Sequence, residues 1–443
     1  MKIKLSDHFT YKRALKFTLP SIYMMIFSSI YGVVDGFFVS NFAGKMPFAA
    51  VNFIMPFLMI LGCIGFMFGA GGSAIVSKTL GEKNEKKANE IFSLIVYVSI
   101  GVSLVISVLG LVFIRPVASA LGAEGQLLED SVIYGRIILC ALVFFVLQME
   151  FQSFFITAEK PDLGLKITVI SGCANMVLDL VLVGIFHFGI KGAAYATLIS
   201  QVIGGLSSVL YFAKENTSLL RLVKTKYEGK VILKTITNGS SELMSNISMS
   251  LVGMLYNIQL MKYAAENGVA AYGVIMYVSM IFCAVFFGYS IGIAPVIGYH
   301  FGAQNKAELK NLLKISVVIT GVFSVCMTIF SLLLAYPLSK LFVGYEKELL
   351  NLTLRGFYIF SFAFLFMGYA IFSSSFFTAL SDGITSAIVS FLRTLVFQVI
   401  AVIVLPVFFK MDGIWYSIIV AEVMAVLVSL VFIVTKRKKY GYY

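Results

Sequence analysis

Two aspartates, an asparagine and a threonine stand where an apolar chain has least reason to keep them. Asp35, Asn175, Asp179 and Thr197 all fall inside long apolar runs. A charged residue near a bilayer centre costs about 2.5–3.5 kcal/mol on insertion scales, so each asks for a purpose. Asn175 and Asp179 are four positions apart and share a face of any helix that carries them. Asp35 lies four residues before the end of its run at 39, Asp179 seven before 186, and Thr197 six after 191. At about 1.5 Å per residue, the three sit within about one helical turn of a common depth. Two carboxylates at one level, with an amide and a hydroxyl, suit a proton or a small hard cation; the other reading is that Asp35 and Asp179 cap or bridge helices near the interface. Like charges in a dry site cannot both persist: either they share a proton, or their oxygens take up a sodium ion.

The elements that must position these groups are membrane helices. The chain is 59% hydrophobic and 13% charged, with a mean hydropathy of +0.95. Soluble domains average about 45–50% apolar and about 25% charged residues. This excludes a soluble enzyme and predicts an integral membrane protein. The net charge of +12 resides in short loops between apolar runs, which fits attraction to an anionic leaflet and argues against nucleic acid. Cys63, Cys140, Cys173, Cys283 and Cys326 all lie in apolar runs without a CxxC pair and read as small core residues. His8, His187 and His300 are isolated, with no metal or catalytic role expected. The N-terminus reads as lacking a cleavable signal.

About 20 apolar residues cross a bilayer. The breaks predict twelve spans, at 14–39, 47–77, 91–114, 131–157, 164–186, 191–213, 233–262, 268–299, 312–335, 351–379, 384–408 and 413–435. With both termini in the cytoplasm, 24 of the 34 basic residues fall on the inner side, nine on the outer, and one, Arg393, within a span. The positive-inside rule favours that orientation in the cell membrane.

The chain also repeats itself at an offset of 221 residues: Gly81 falls on Gly302, Asn84 on Asn305, Pro116 on Pro337, Gly135 on Gly356 and Gly192 on Gly413. Each copy holds six spans, an even number, so both enter the membrane from the same side. The expected fold is all-α: twelve transmembrane helices as two parallel six-helix bundles, 1–216 and 217–443, related by a pseudo-two-fold axis along the membrane normal. At this offset Asp35, Asn175, Asp179 and Thr197 meet Tyr256, Val396, Ile400 and Ile418, so the second copy carries no such site. Scaffold polarity would be expected in both copies; a functional site need occur only once.

The loop after span two, Gly71-Gly72-Ser73-Ala74 to Leu80-Gly81-Glu82-Lys83-Asn84, resembles that of the multidrug and toxic compound extrusion (MATE) family. Its counterpart, Gly292-Ile293-Ala294-Pro295 to Phe301-Gly302-Ala303-Gln304-Asn305, resembles the equivalent second-half loop, and the six-plus-six layout with a basic linker is also that family's. In one branch of that family an Asp on span one, an Asn-x-x-x-Asp pair on span five and a Thr on span six form a cation site. The resemblance carries these onto Asp35, Asn175, Asp179 and Thr197. It also carries a bend-forming proline onto Pro20 and a tyrosine of span four onto Tyr134. Another branch uses an acid on span seven, here Glu242 with Asn246 one turn on, together with an Asp on span ten. Span ten here has no acid between Asn351 and Ala379, so Glu242 serves either substrate contact or helix packing.

Gln148, Glu150, Gln152, Gln201 and Glu422 are further candidates for a cavity wall, and Glu150 either attracts cations or pairs with Arg393. The 19 methionines and 41 phenylalanines suit a pliable cavity for flat organic cations as well as they suit lipid-facing surface. No Walker loop, HExxH or nucleophile elbow is present, which argues against an ATP-driven pump and an enzyme. The reading is a secondary antiporter that exports small cationic amphipathic compounds in exchange for H⁺ or Na⁺. It would work as a monomer, with no cofactor and no metal beyond Na⁺ at the cation site. The alternative is a flippase for a lipid-linked saccharide, or export of one specific metabolite.

Overall fold

The chain is described by a computed structural model covering residues 3–442, and it is helical throughout, with no strand among the described residues. The first half runs α1 (Tyr11–Phe38), α2 (Lys45–Gly62), α3 (Ile64–Gly81), α4 (Glu85–Ala120), α5 (Gly125–Thr157), α6 (Pro161–Asp179) and α7 (Gly189–Ala213). The second half runs α8 (Gly229–Gly302), α9 (Lys306–Val343), α10 (Lys347–Ser361), α11 (Phe364–Ala379), α12 (Gly383–Phe391) and α13 (Phe397–Tyr440). Short π-helical turns extend α1, α6 and α12 at Val39–Ala43, Leu180–Ile185 and Leu392–Val396.

The repeat is visible in local chemistry. Asn84 and its counterpart Asn305 cap α4 and α9, accepting from the amides of Lys87 at 3.0 Å and Glu308 at 3.1 Å. Each cap follows a residue with positive φ, Lys83 at 61° and Gln304 at 56°. The chain reversals match as well. Gly44 at φ 101° falls on Ala265 at 49°, and Gly189 at 56° falls on Lys410 at 51°.

These reversals explain why two helices are longer than expected. A straight α8 of 74 residues would extend about 110 Å, several times the roughly 30 Å hydrocarbon core. Ala265 breaks it into two limbs, where spans seven and eight are expected, and Lys410 divides α13 at the boundary between spans eleven and twelve. Among the described residues nine helical stretches are long and apolar enough to cross a membrane, and α10 with α11 adds a tenth bent by 51°. Dividing the two long stretches gives the twelve limbs of the sequence reading.

Three apolar cores hold the limbs together. One, around Ile54, Leu139 and Val183, belongs wholly to the first half. Another, around Tyr256, Phe357 and Trp415, belongs wholly to the second. The third joins both halves at the end where the termini lie, packing Phe68, Phe92 and Phe154 with Ile293, Leu312 and Phe376. Backbones cross there with no room for side chains. A Cβ on Gly81 would stand 2.0 Å from the Tyr299 carbonyl oxygen, and one on Gly302 would stand 1.9 Å from that of Lys78. These two contacts exchange under the 221-residue shift, as a two-fold axis running between them requires. At the other end Gly32 and its counterpart Gly253 meet nothing within 4 Å. The halves are joined at the terminal end and part toward the opposite one.

The termini strengthen the joined end. Leu5 donates its amide to Glu159 Oε1 at 2.7 Å in the first half. In the second half, Glu308 accepts the Phe9 amide at 2.9 Å and pairs with His8 Nδ1 at 2.6 Å. Burial would raise the Glu308 carboxyl, but the Phe9 amide, His8 and Asn311 outweigh it and hold it below its ordinary range. Near the other terminus Lys436 and Tyr440 each reach Asp382 Oδ2 at 2.7 Å. Burial opposes charge on Asp382 too, yet Lys436, Tyr440 and Thr385 together hold its carboxyl at about 2.

One sequence expectation changes. Cys140 and Cys173 are exposed on the helix surface, because the helix faces that bear them are turned outward; only Cys63 is fully buried. Pro20 is buried inside α1.

Closure at the terminal end depends on missing side chains. Gly302→Val should disfavour the joined arrangement by the roughly 1–3 kcal/mol typical of overpacking. Oxidative cross-linking of a Lys78→Cys/Tyr299→Cys pair should therefore fall sharply in that background and stay unchanged with Gly273→Val, where no atom lies within 4 Å.

Candidate functional site

The first-half polar residues converge. Asp35 is on the last turn of α1 and Asp179 is the final residue of α6, and each is followed by a π-helical turn. Such turns recur at functional sites, because the extra residue re-aims the side chains around it. Close packing brings the two helices together: a Cβ on Gly172 would stand 2.5 Å from Phe27 and 3.2 Å from Tyr31 of α1. The π-helical turns that follow Asp35 and Asp179 also pack against each other, so the two aspartates are brought to neighbouring helix ends.

Tyr134 of α5 is fully buried, and Thr197 stands on α7, which packs along α5. Asn175 is buried one turn before Asp179. Both Asp179 oxygens, Asp35 Oδ1 and Asn175 Nδ2 are buried and make no hydrogen bond among the described residues. Neither aspartate forms an ion pair among the described residues. Tyr31 also faces Asp35 and was missed in the sequence; its signal is the four-residue spacing from Asp35 along α1.

The other candidates separate into different surroundings. Gln148 Nε2 contacts Ser171 at 3.4 Å, and the Oε1 atoms of Gln148 and Gln201 are buried without partners among the described residues. Glu150 is fully enclosed and accepts a hydrogen bond from Ser99 of α4 at 2.5 Å. It does not pair with Arg393, whose Nε donates to both Glu422 oxygens at 2.9 and 3.1 Å. Tyr256, at the position of Asp35, donates to Gln398 Oε1 at 2.8 Å and stacks on Tyr272 at 5.1 Å. The second half thus fills the equivalent place with a neutral, satisfied pair.

Glu242 lines a narrow cleft between the halves, beside Ala70, Ser73 and Ser153 on one side and Ile291, Ser375 and Thr378 on the other. Asn246 turns back to its own helix, donating to the Glu242 carbonyl at 2.8 Å.

Comparison with known proteins agrees with this architecture. The MatE family profile matches residues 20–181 and 243–404, one stretch in each half. A multidrug export protein, MepA, of Staphylococcus haemolyticus is 26% identical, over 97% of this chain and 94% of its own. A MATE crystal structure in complex with MaL6 superimposes with a TM-score of 0.93 at 20% identity, covering 98% of both chains. A multidrug resistance MATE family transporter of the MOP superfamily, in an outward-facing conformation, gives 0.92 at 22% identity and the same coverage. With its profile matched across both repeats and its fold shared over nearly the whole length, the chain belongs to the MatE family.

Proposed function

We propose that this protein is a secondary antiporter that exports small, cationic, amphipathic organic compounds in exchange for H⁺ or Na⁺. The observation that carries the reading is the paired carboxyls of Asp35 and Asp179, buried in one half and replaced by Tyr256 and Ile400 in the other. The names of the relatives, multidrug export protein and multidrug resistance transporter, support export of organic compounds.

In this reading the two halves rock about the joined terminal end and expose the space between them to each side in turn. The open end would face outward, since the basic loops gather at the terminal end and the positive-inside rule puts that end in the cytoplasm. An ion entering from outside would neutralise the aspartate pair, weaken its attraction for an organic cation and favour release. Return to the inner side would discharge the ion there and restore the negative charge. Gln148 and Gln201 would line the approach, and Glu242 would contact substrate in the cleft.

Asp35→Asn and Asp179→Asn should each cut gradient-driven export about tenfold or more, the loss of one charge-assisted contact worth about 1.5–3 kcal/mol. Expression should stay intact, and Cys173→Ser, on the exposed face of α6, should behave as wild type. The assay is export from vesicles with pH and Na⁺ gradients imposed separately. Coupled export that survives both aspartate changes and disappears with Glu242→Gln would move the ion site to the cleft. Orientation is tested independently. In a cysteine-free background, Lys83→Cys, Glu228→Cys and Lys306→Cys should resist an impermeant maleimide applied to intact cells, while Gly125→Cys and Glu346→Cys should label. Labelling at position 228 would reverse the topology.

A further inference from the structure

A cavity of about 420 Å³ lies at the terminal end of the first half, between α1 and the start of α6, and the export reading leaves it unused. Its size falls in the range of ligand pockets, about 300–1,000 Å³. Lys16 of α1, Lys160 at the cap of α6 and Lys166 within α6 all line it. Phe17, Pro20 and Leu163 give the same wall an apolar part. Lys16 and Lys166 form no ion pair among the described residues, while Lys160 donates to Thr217 Oγ1 at 2.9 Å. The cavity also has two carboxylates, fewer than its lysines, and both are answered locally. Glu159 accepts the Leu5 amide, and Asp162 stands in the first turn of α6, where the positive end of the helix offsets its charge.

The place of the cavity relative to the membrane points to its occupant. Both helices begin their apolar runs here, span one at 14 and span five at 164, so the lysines stand at the level of lipid headgroups. Ile170 and Val177 follow Lys166 at four and eleven positions, on the same face of α6, and both are 59% exposed. A headgroup phosphate held by the lysines lays its acyl chains along that face; a free phosphate leaves it uncovered.

The repeat shows that the cavity is not shared scaffold. At the 221-residue offset Lys16, Lys160 and Lys166 fall on Thr237, Ser381 and Ala387. Asp162 falls on Gly383, where a Cβ would stand 2.2 Å from the Thr237 carbonyl oxygen, so α12 lies backbone to backbone on α8. Lys436 and Tyr440 then close the start of α12 through Asp382. The second half fills with its own chain the place that the first half leaves open.

We propose that this cavity binds the glycerophosphate headgroup of an anionic phospholipid from the leaflet at the terminal end. Lys16 and Lys166 are its phosphate contacts, and the exposed face of α6 seats its acyl chains. The lipid joins the inner ends of α1 and α6, the two helices that carry Asp35 and Asp179. Its binding is independent of whether the protein exports by antiport.

Native mass spectrometry of the full-length protein in detergent gives dissociation constants for dioleoylphosphatidylglycerol and dioleoylphosphatidylcholine. Lys16→Gln with Lys166→Gln should weaken binding of the glycerol lipid about tenfold or more. Asp162→Asn, which removes a carboxylate from the cavity, should strengthen it about threefold. Lys83→Gln with Lys86→Gln makes the same charge change on exposed residues at the same end and should stay within about twofold of wild type. The choline lipid should bind more weakly and respond to none of these changes. A melting curve confirms that each variant is folded. An unchanged constant in the Lys16 and Lys166 variant overturns the site, and so does equal weakening in both lysine pairs, which would mean diffuse surface charge. Displacement of the lipid by an equal concentration of glycerol 3-phosphate would assign the cavity to a free phosphate and overturn the lipid.

Discussion

Two buried carboxyl groups without an ion-pair partner among the described residues are the constraint on which the rest of this structure depends. An ion removed from water keeps its charge only if something replaces the lost solvation. At Asp35 and Asp179 the described helices supply a phenol, an amide and a hydroxyl. The contrast with Arg393 and Glu422 is informative, since there each charge answers the other and the group has one stable state. In the function proposed above the aspartate pair would have two, with and without a bound cation, and its occupant would set the charge that the first half presents.

The proposed rocking motion would require the helices that build this site to hold their register. Gly172 lets α6 lie directly on α1, and a π-helical turn follows both Asp35 and Asp179. Each half keeps its own apolar core, so it can move as a unit. The third core and the glycine crossings at Gly81 and Gly302 join the halves without tying the opposite end. The N-terminal segment adds polar bonds across that seam through Glu159 and Glu308, contacts that would have to release in the proposed rocking motion.

Much of this was legible in the sequence, because membrane helices follow simple rules. The 221-residue repeat laid Asn84 on Asn305, which the structure shows as matching helix caps, and the reversal expected between spans seven and eight falls at Ala265. The aspartates were readable since an acid in an apolar run is costly, and their absence from the second copy set them apart as candidates. What stayed hidden were contacts set by helix rotation and distant pairing. Cys140 and Cys173 turn outward, which apolar composition alone could not tell. Glu150 meets Ser99 and Arg393 meets Glu422, a choice fixed by which faces pack. The bonds from the N-terminal segment to Glu308 join residues some three hundred positions apart, beyond any local pattern.

The central claim is that the coupling ion and the organic substrate answer to the same carboxyl pair in the first half. The most direct measurement is the ion released when substrate binds to purified protein in weakly buffered solution, with a pH indicator reporting protons and a selective electrode reporting sodium. The account predicts that wild-type protein releases one kind of ion on binding, and that Asp179→Asn releases none while still binding substrate. Undiminished release from Asp179→Asn would contradict it and place the coupling site elsewhere.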